Sequence, residues 1–157
     1  MKRIILYVLL MAAALAAPVE QADVGKLRPI ETVSVYTEQG WVVLSTDTDD
    51  LGIGQTALQA LQNMKDTASG TIYLDTARYL LLEEDAQDAA EELRAVLKDK
   101  VQLCIASREI EPADATKYLS AHSGLTRMKT WKVGQKLPVL VQQGKRLIIL
   151  KKVENNA

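Results

Sequence analysis

Two short, almost wholly apolar runs, residues 79–82 (YLLL) and 101–106 (VQLCIA), bracket a segment whose alanines and leucines recur at helical spacing. Nothing else in the chain restricts its fold as much. A run of four to six residues that is apolar at successive positions reads as a strand covered on both faces. Between the runs, Ala86, Ala89, Ala90, Leu93 and Leu97 line one face of a helix expected over 86–98. Glu83, Glu84 and Asp85 open that helix, where negative charge complements the dipole. Strand, helix and strand in this order form a right-handed crossover between parallel strands. The chain is therefore expected to be α/β or α+β, a mixed β-sheet of about five to seven strands with three helices, mainly on one face.

The flanking segments fit this frame. Strands are expected near 31–36 and 41–47, joined by the Gly-containing gap 37–40, which is a hairpin signal. Residues 47–54 read as a loop by composition. Thr56 and Gln59 then form a capping box, and Ala57, Leu61, Met64 and Ala68 line a helix face with Leu58 beside them. Gly70 stands where a left-handed terminating residue is wanted. Residues 71–82 predict one or two strands with a bend near Asp75. Pro112, preceded by Glu111, suits the first turn of a third helix, which presents Ala115, Tyr118 and Leu119 and ends at Gly124. Residues 139–141 and 147–150 form a second hairpin around the tip Gln142-Gln143-Gly144.

The amino terminus places Lys2 and Arg3 before an unbroken apolar run, 4–17, that closes on Ala14-Leu15-Ala16. That is the charged, apolar and small-residue pattern of a secretory signal peptide, with cleavage after Ala16. A retained membrane anchor is the competing outcome. A spanning helix needs about 20 apolar residues, and Pro18 and Glu20 end this run sooner. The expected organisation is a signal peptide over 1–16, a flexible lead-in over 17–29, one α/β domain over 30–153 and a tail over 154–157. Export places the domain in the medium or on the extracytoplasmic face of the membrane. Losing 1–16 removes two bases and no acids, so the net charge moves from −1 to −3. No basic excess marks a nucleic-acid binder. One cysteine, Cys104, excludes an intrachain disulfide. It lies far from the signal region, so it does not carry a lipid anchor. Two Trp, five Tyr and no Phe are few for a carbohydrate-binding or single-strand-binding surface built on stacked rings.

Residue types that carry chemistry have structural alternatives here. Cys104 and His122 are the lone thiol and imidazole, and a nucleophilic pair needs a partly exposed thiol beside a base. Cys104 instead sits mid-strand as a small hydrophobe, and His122 falls at a helix end, where it can cap carbonyls. Asp47, Asp49 and Asp50 offer hard oxygens on a loop, as calcium requires. The EF-hand pattern fails, because Leu51 and Leu58 occupy ligand positions. An irregular calcium site and a solvated turn both remain open. Gly52 and Gly54 precede a helix, but no Lys stands before Thr56 as a phosphate loop demands, so these glycines are read as freedom for the turn. Asp75, Glu83, Glu84 and Asp85 supply carboxylates for a glycosidase pair only if space brings two of them together. Lys145-Arg146 and Lys151-Lys152 give the tail a basic edge, a usual guard against aggregation and a candidate membrane contact. No catalytic, cofactor or metal residue is assigned.

Residues 54–119 resemble part of the first domain of the C subunit of spore germinant receptors. The resemblance lies in Gly54-Gln55-Thr56-Ala57-Leu58-Gln59-Ala60 at a helix start. It continues through Tyr79-Leu80-Leu81-Leu82 into the acidic step Glu83-Glu84-Asp85-Ala86, with the 101–106 strand following. It implies a non-catalytic scaffold at the outer face of a membrane in a spore-forming bacterium and assigns no site residue. Members of that family carry a lipid-bearing cysteine at the cleavage site and run to more than twice this length, and both features differ here. Three functions follow as expectations. The first is an exported non-enzymatic interaction or scaffold protein of the cell envelope or spore layers, with an envelope or membrane protein as partner. The second is a small extracytoplasmic hydrolase using carboxylates, with or without calcium. The third is a small-ligand binding module. Converging acids in a pocket near 47–50 or 75–85 favour the enzyme, and an exposed apolar patch favours the interaction protein.

Overall fold

The computed structural model describes residues 26–122 and 124–150. The signal segment 1–16, the tail 154–157 and Lys151-Lys152 of the basic edge lie outside the described residues. The chain enters as β1 (Leu27–Pro29) and runs through β2 (Thr32–Glu38), β3 (Trp41–Thr46) and β4 (Leu51–Gly54) into helix α1 (Ala57–Thr67). Next come β5 (Thr71–Tyr73), a 3-10 turn at Leu74–Thr76 and β6 (Tyr79–Leu82). A second 3-10 turn at Glu84–Ala86 leads to helix α2 (Ala89–Leu93) and strand β7 (Gln102–Ala106). Helix α3 (Pro112–Ser120), β8 (Thr126–Arg127) and the hairpin of β9 (Val139–Gln143) and β10 (Arg146–Leu150) complete the described chain.

Among the described residues the fold is a mixed α+β sheet with three helices, as expected, but the main sheet is larger than five to seven strands. It has eight, in the order β10-β9-β7-β6-β2-β3-β4 with β8 paired to β7, while β1 and β5 form a separate parallel pair. Strands β2, β6, β7 and β9 are mutually parallel at the centre, and β3, β4 and β10 add antiparallel flanks. All four residues of β6 are buried. Leu80 and Leu82 face one core and Tyr79 and Leu81 the other, which is why this strand carries no polar alternation. Helices α1 and α2 and the segment bearing Met128, Trp131 and Leu137 cover the first face. Helix α3 crosses to the second face, where Ala115 and Leu119 pack on Tyr79, Leu81 and Cys104.

Helix α1 starts where the capping box places it, with the Gln59 amide donating to Thr56 Oγ1 (3.2 Å) and the Gln59 side chain accepting from the Gln55 amide (3.1 Å). The Ser/Thr cap contributes about 1 kcal/mol. The helix buries Ala57, Ala60, Leu61 and Met64, while Leu58 is exposed. The hairpin turn between β2 and β3 uses left-handed φ at both Gln39 (51°) and Gly40 (81°), the geometry that matches strand twist.

Four local expectations are corrected. Residues 27–29 of the lead-in are a strand, paired to β5. Residues 51–54 of the expected loop are the edge strand β4, leaving only 47–50 as the turn. Gly70 does not have the left-handed backbone of a helix terminator, since α1 ends at Ala68 in an extended conformation. A β-carbon at Gly70 would instead run into the Lys26 carbonyl, so glycine lets β1 lie against this turn. The helix expected over 86–98 keeps its buried face at Ala86, Ala89, Ala90, Leu93 and Leu97, but its regular part is only Ala89–Leu93. Asp85 and Asp88, poor helix formers, occupy the first turn. The chain then continues in hydrogen-bonded turns to Leu97, whose amide reaches Leu93 O (2.9 Å).

Candidate functional site

Each chemically suggestive residue type has a structural occupation. Cys104 is buried in the strand β7, and burial pushes its thiol up to about 12. His122 sits exposed past the end of α3, its Nδ1 2.6 Å from Tyr118 O and its ring stacked on Tyr118 at 4.0 Å. It caps the helix as expected, and Cys104 lies inside the sheet without it.

The acids at 47–50 point to separate tasks. Asp47 Oδ1 accepts the amides of Glu31 (3.1 Å) and Thr32 (3.2 Å), holding the start of β2. Burial raises the Asp47 carboxyl above its ordinary range, and those amides oppose the shift. Asp50 pairs with Arg28 Nε at 3.2 Å and accepts the Thr48 hydroxyl at 2.7 Å. The same guanidinium bonds Thr48 O and Ser69 Oγ, so Arg28 ties β1 to two turns. Asp49 takes a left-handed φ of 62° at the turn.

Asp75 precedes β6 and Glu83 follows it, so the strand holds these carboxylates at opposite ends of the sheet. Asp75 pairs with Lys98 (3.0 Å), and Glu83 faces Arg108 (4.0 Å) and the Thr37 amide (3.4 Å). Glu84 and Asp85 are exposed in the 3-10 turn. Asp75 does line a polar cleft of about 540 Å³ with Glu31, Arg78, Lys100, Gln102 and Arg127. Its second acid, Glu31, is taken by Arg78 (3.5 Å). A groove of about 680 Å³ separates α3 from the last hairpin, with Glu109, Glu111 and the Asp114–Lys117 pair (3.1 Å) on the helix side and Lys145 and Arg146 on the hairpin side. The basic edge at Lys145-Arg146 thus faces acids of its own chain. The Tyr118 hydroxyl accepts the Ile149 amide (3.3 Å) and fastens β10 to α3.

The surface that stands out is the outer corner of the sheet at β3 and β4, and sequence reasoning missed it. Cross-strand partners share a face, so the register sets Tyr36, Val43 and Ile53 in one row, Ser34, Ser45 and Leu51 in the next, and Trp41 beside Glu38. This is the face of α3, whose Thr116 hydroxyl meets the Thr32 hydroxyl (2.5 Å). The helix stops short of the corner. Trp41 is left 47 % exposed, Leu51 49 % and Ile53 47 %. Together they set three half-exposed large apolar side chains on one face of the sheet.

The opposite face of β4 explains its alternation. Gly52 and Gly54 lie directly under α1: a β-carbon at Gly52 would come 2.7 Å from Met64 Cβ, and one at Gly54 2.7 Å from Gln59 Cβ. These glycines permit close helix–strand approach rather than a turn. Leu-Gly-Ile-Gly is a period-two pattern in which the missing side chains mark the covered face. That alternation was the available signal.

Neither a protein-family model, nor a curated protein, nor a solved structure matches this chain.

Proposed function

We propose that the chain is an exported, non-enzymatic interaction protein of the cell envelope or spore layers, working through the Trp41–Leu51–Ile53 corner. The carrying observation is that three large apolar side chains share one exposed face at a sheet edge, beside a helix that leaves them uncovered. Exposed apolar residues cost solubility when clustered, and such clusters mark contact surfaces. Trp is also among the residues that most often dominate interface energetics. Of the acids weighed for hydrolysis or calcium, Asp47, Asp50, Asp75 and Glu83 each hold a backbone amide or a cation, and Asp75 and Glu83 stand at opposite ends of β6, which supports this reading. The location rests on the charged-then-apolar segment 1–16, and the spore assignment on the resemblance across 54–119.

Photo-crosslinking tests the surface. A crosslinking amino acid at position 41 or 53 is expected to form discrete adducts with an envelope component, and the same group at Val133, an exposed apolar residue elsewhere, is not. Equal labelling at all three positions would remove the corner from consideration.

A further inference from the structure

The corner is more than an apolar patch, because β4 is the terminal strand of the main sheet. Antiparallel ladders alternate between residues that bond their partner and residues that bond outward. The Thr46 amide donates to Asp50 O (3.1 Å), which sets the alternation for the whole β3–β4 pair. Gly52 and Gly54 therefore bond to β3, and the backbone groups of Leu51 and Ile53 point away from the sheet. The Ile53 amide bears this out: it donates to the side chain of Asn63 on α1 (3.0 Å). The residues with outward backbone groups are thus the same two that expose apolar side chains.

The two ends of the sheet are treated differently. Strand β10 begins at Arg146, next to Lys145, which is a common protection of an edge. Strand β4 contains no charged residue and no proline, and among the described residues the Asn63 carboxamide is the group that meets its outward backbone. The corner is also small. It offers three half-exposed apolar side chains, where a stable protein pair sets about 20–30 residues a side against each other, so a second copy of this chain docked on these side chains alone would be held weakly. An added peptide strand gains affinity from main-chain hydrogen bonds and takes its specificity from alternate side chains. It does not need so wide a contact.

We infer that the corner binds an extended peptide segment, which adds to β4 as a further strand. This rests on reading the corner as an interaction face. The segment alternates: apolar residues on one side meet Leu51, Ile53 and Trp41, and polar residues on the other meet Gln59 and Asn63 on the flank of α1. A backbone carbonyl of the peptide replaces the Asn63 carboxamide on the Ile53 amide.

The test uses a synthetic peptide of about ten residues alternating valine and threonine, a copy N-methylated at every second residue, and fluorescence of Trp41, since Trp131 is buried and gives a constant background. The unmodified peptide is expected to bind and to slow amide exchange at Leu51 and Ile53, and the methylated copy is not. Ile53→Pro removes an outward amide without touching the β3 ladder, as proline can on an edge, and should weaken binding at least tenfold in a protein that stays folded by circular dichroism, with only the small stability loss of the bond it gives up to Asn63. Asn63→Ala uncovers the Ile53 amide and should tighten binding severalfold, which a merely destabilising change would not do. Absence of peptide binding to the wild-type chain would overturn the inference. So would self-association in sedimentation that Ile53→Pro abolishes, because the occupant would then be a second copy. If the peptide and its methylated copy bind alike, Ile53→Pro is neutral and Trp41→Ser abolishes binding, strand addition is wrong while the corner stands as an interaction face.

Discussion

Replacing Gly52 by alanine adds one methyl group where α1 and β4 meet. The new β-carbon would lie 2.7 Å from Met64 Cβ and 2.9 Å from Met64 N, with the Ala60 carbonyl closer still. Carbon atoms settle at about 3.5–4.0 Å, so the overlap is about 1 Å. Every offending atom is backbone or Cβ, so no rotamer change relieves the contact, and shortening Met64 to alanine would keep both atoms. Helix α1 must then lift off the strand, loosening Ala57, Ala60, Leu61 and Met64 in the core they fill. Overpacking of this kind costs about 1–3 kcal/mol, and an immovable backbone places it near the upper end. Relief of glycine's conformational entropy returns about 0.5–1 kcal/mol. The net loss of about 2 kcal/mol corresponds to a fall in Tm of about 6–10 °C for a domain of this size. Gly40→Ala is the control: its β-carbon meets nothing within 4 Å, and only the left-handed φ of 81° is penalised, at about 1 kcal/mol. Thermal and urea unfolding followed by circular dichroism measure both. A Gly52→Ala protein as stable as wild type would refute the close seating of α1 on β4, and with it the account of this strand's glycines.

Two further outcomes follow from a buried thiol and a half-buried carboxyl. Cys104 should resist alkylation at pH 8 in the native protein and react fully in denaturant. Because its folded pKa of about 12 lies above the unfolded value, stability should be complete below pH 9 and decline from pH 9 toward 12, a slope that Cys104→Ala removes. For Asp47, burial raises the folded pKa above 3.8. Stability of the wild type relative to Asp47→Asn, whose carbonyl can still accept the Glu31 and Thr32 amides, should thus be greatest below about pH 4 and fall as pH rises through the folded value. Urea denaturation from pH 3 to 7 checks the sign, and an advantage of the wild type that grows with pH would contradict it.

Much of the architecture is written in local pattern. The apolar runs at 79–82 and 101–106 are central strands because covering on both faces leaves no room for polar alternation. The capping box at Thr56 and the proline at 112 start helices by satisfying or omitting backbone donors, which needs no knowledge of the rest of the fold. The buried face Ala86, Ala89, Ala90, Leu93 and Leu97 is legible for the same reason, even where the backbone between them is not regular helix.

What local pattern misreads is glycine. At Gly52, Gly54 and Gly70 the residue answers to another segment of chain: α1 over β4, and Lys26 of the entering segment beside the turn. A single residue's neighbours in sequence do not reveal such an approach, so these positions read as turns and caps. The candidate site is hidden in the same way. Sequence marked the thiol, the imidazole and the carboxylates, whose chemistry is intrinsic, and tertiary structure placed the thiol in a core, the imidazole at a helix end and Asp50, Asp75 and Glu83 beside cations.

By itself the sequence determined the type and burial of the central strands, the starts of α1 and α3, the hairpin tips and the absence of an intrachain disulfide, since each depends on spacing, backbone preference or residue count within a short window. Tertiary structure alone decided the strand order, the crossing of α3 to the second face and the exposure of Trp41, Leu51 and Ile53. Those depend on which surfaces meet, and an apolar side chain has the same sequence signature whether a helix covers it or stops one strand short.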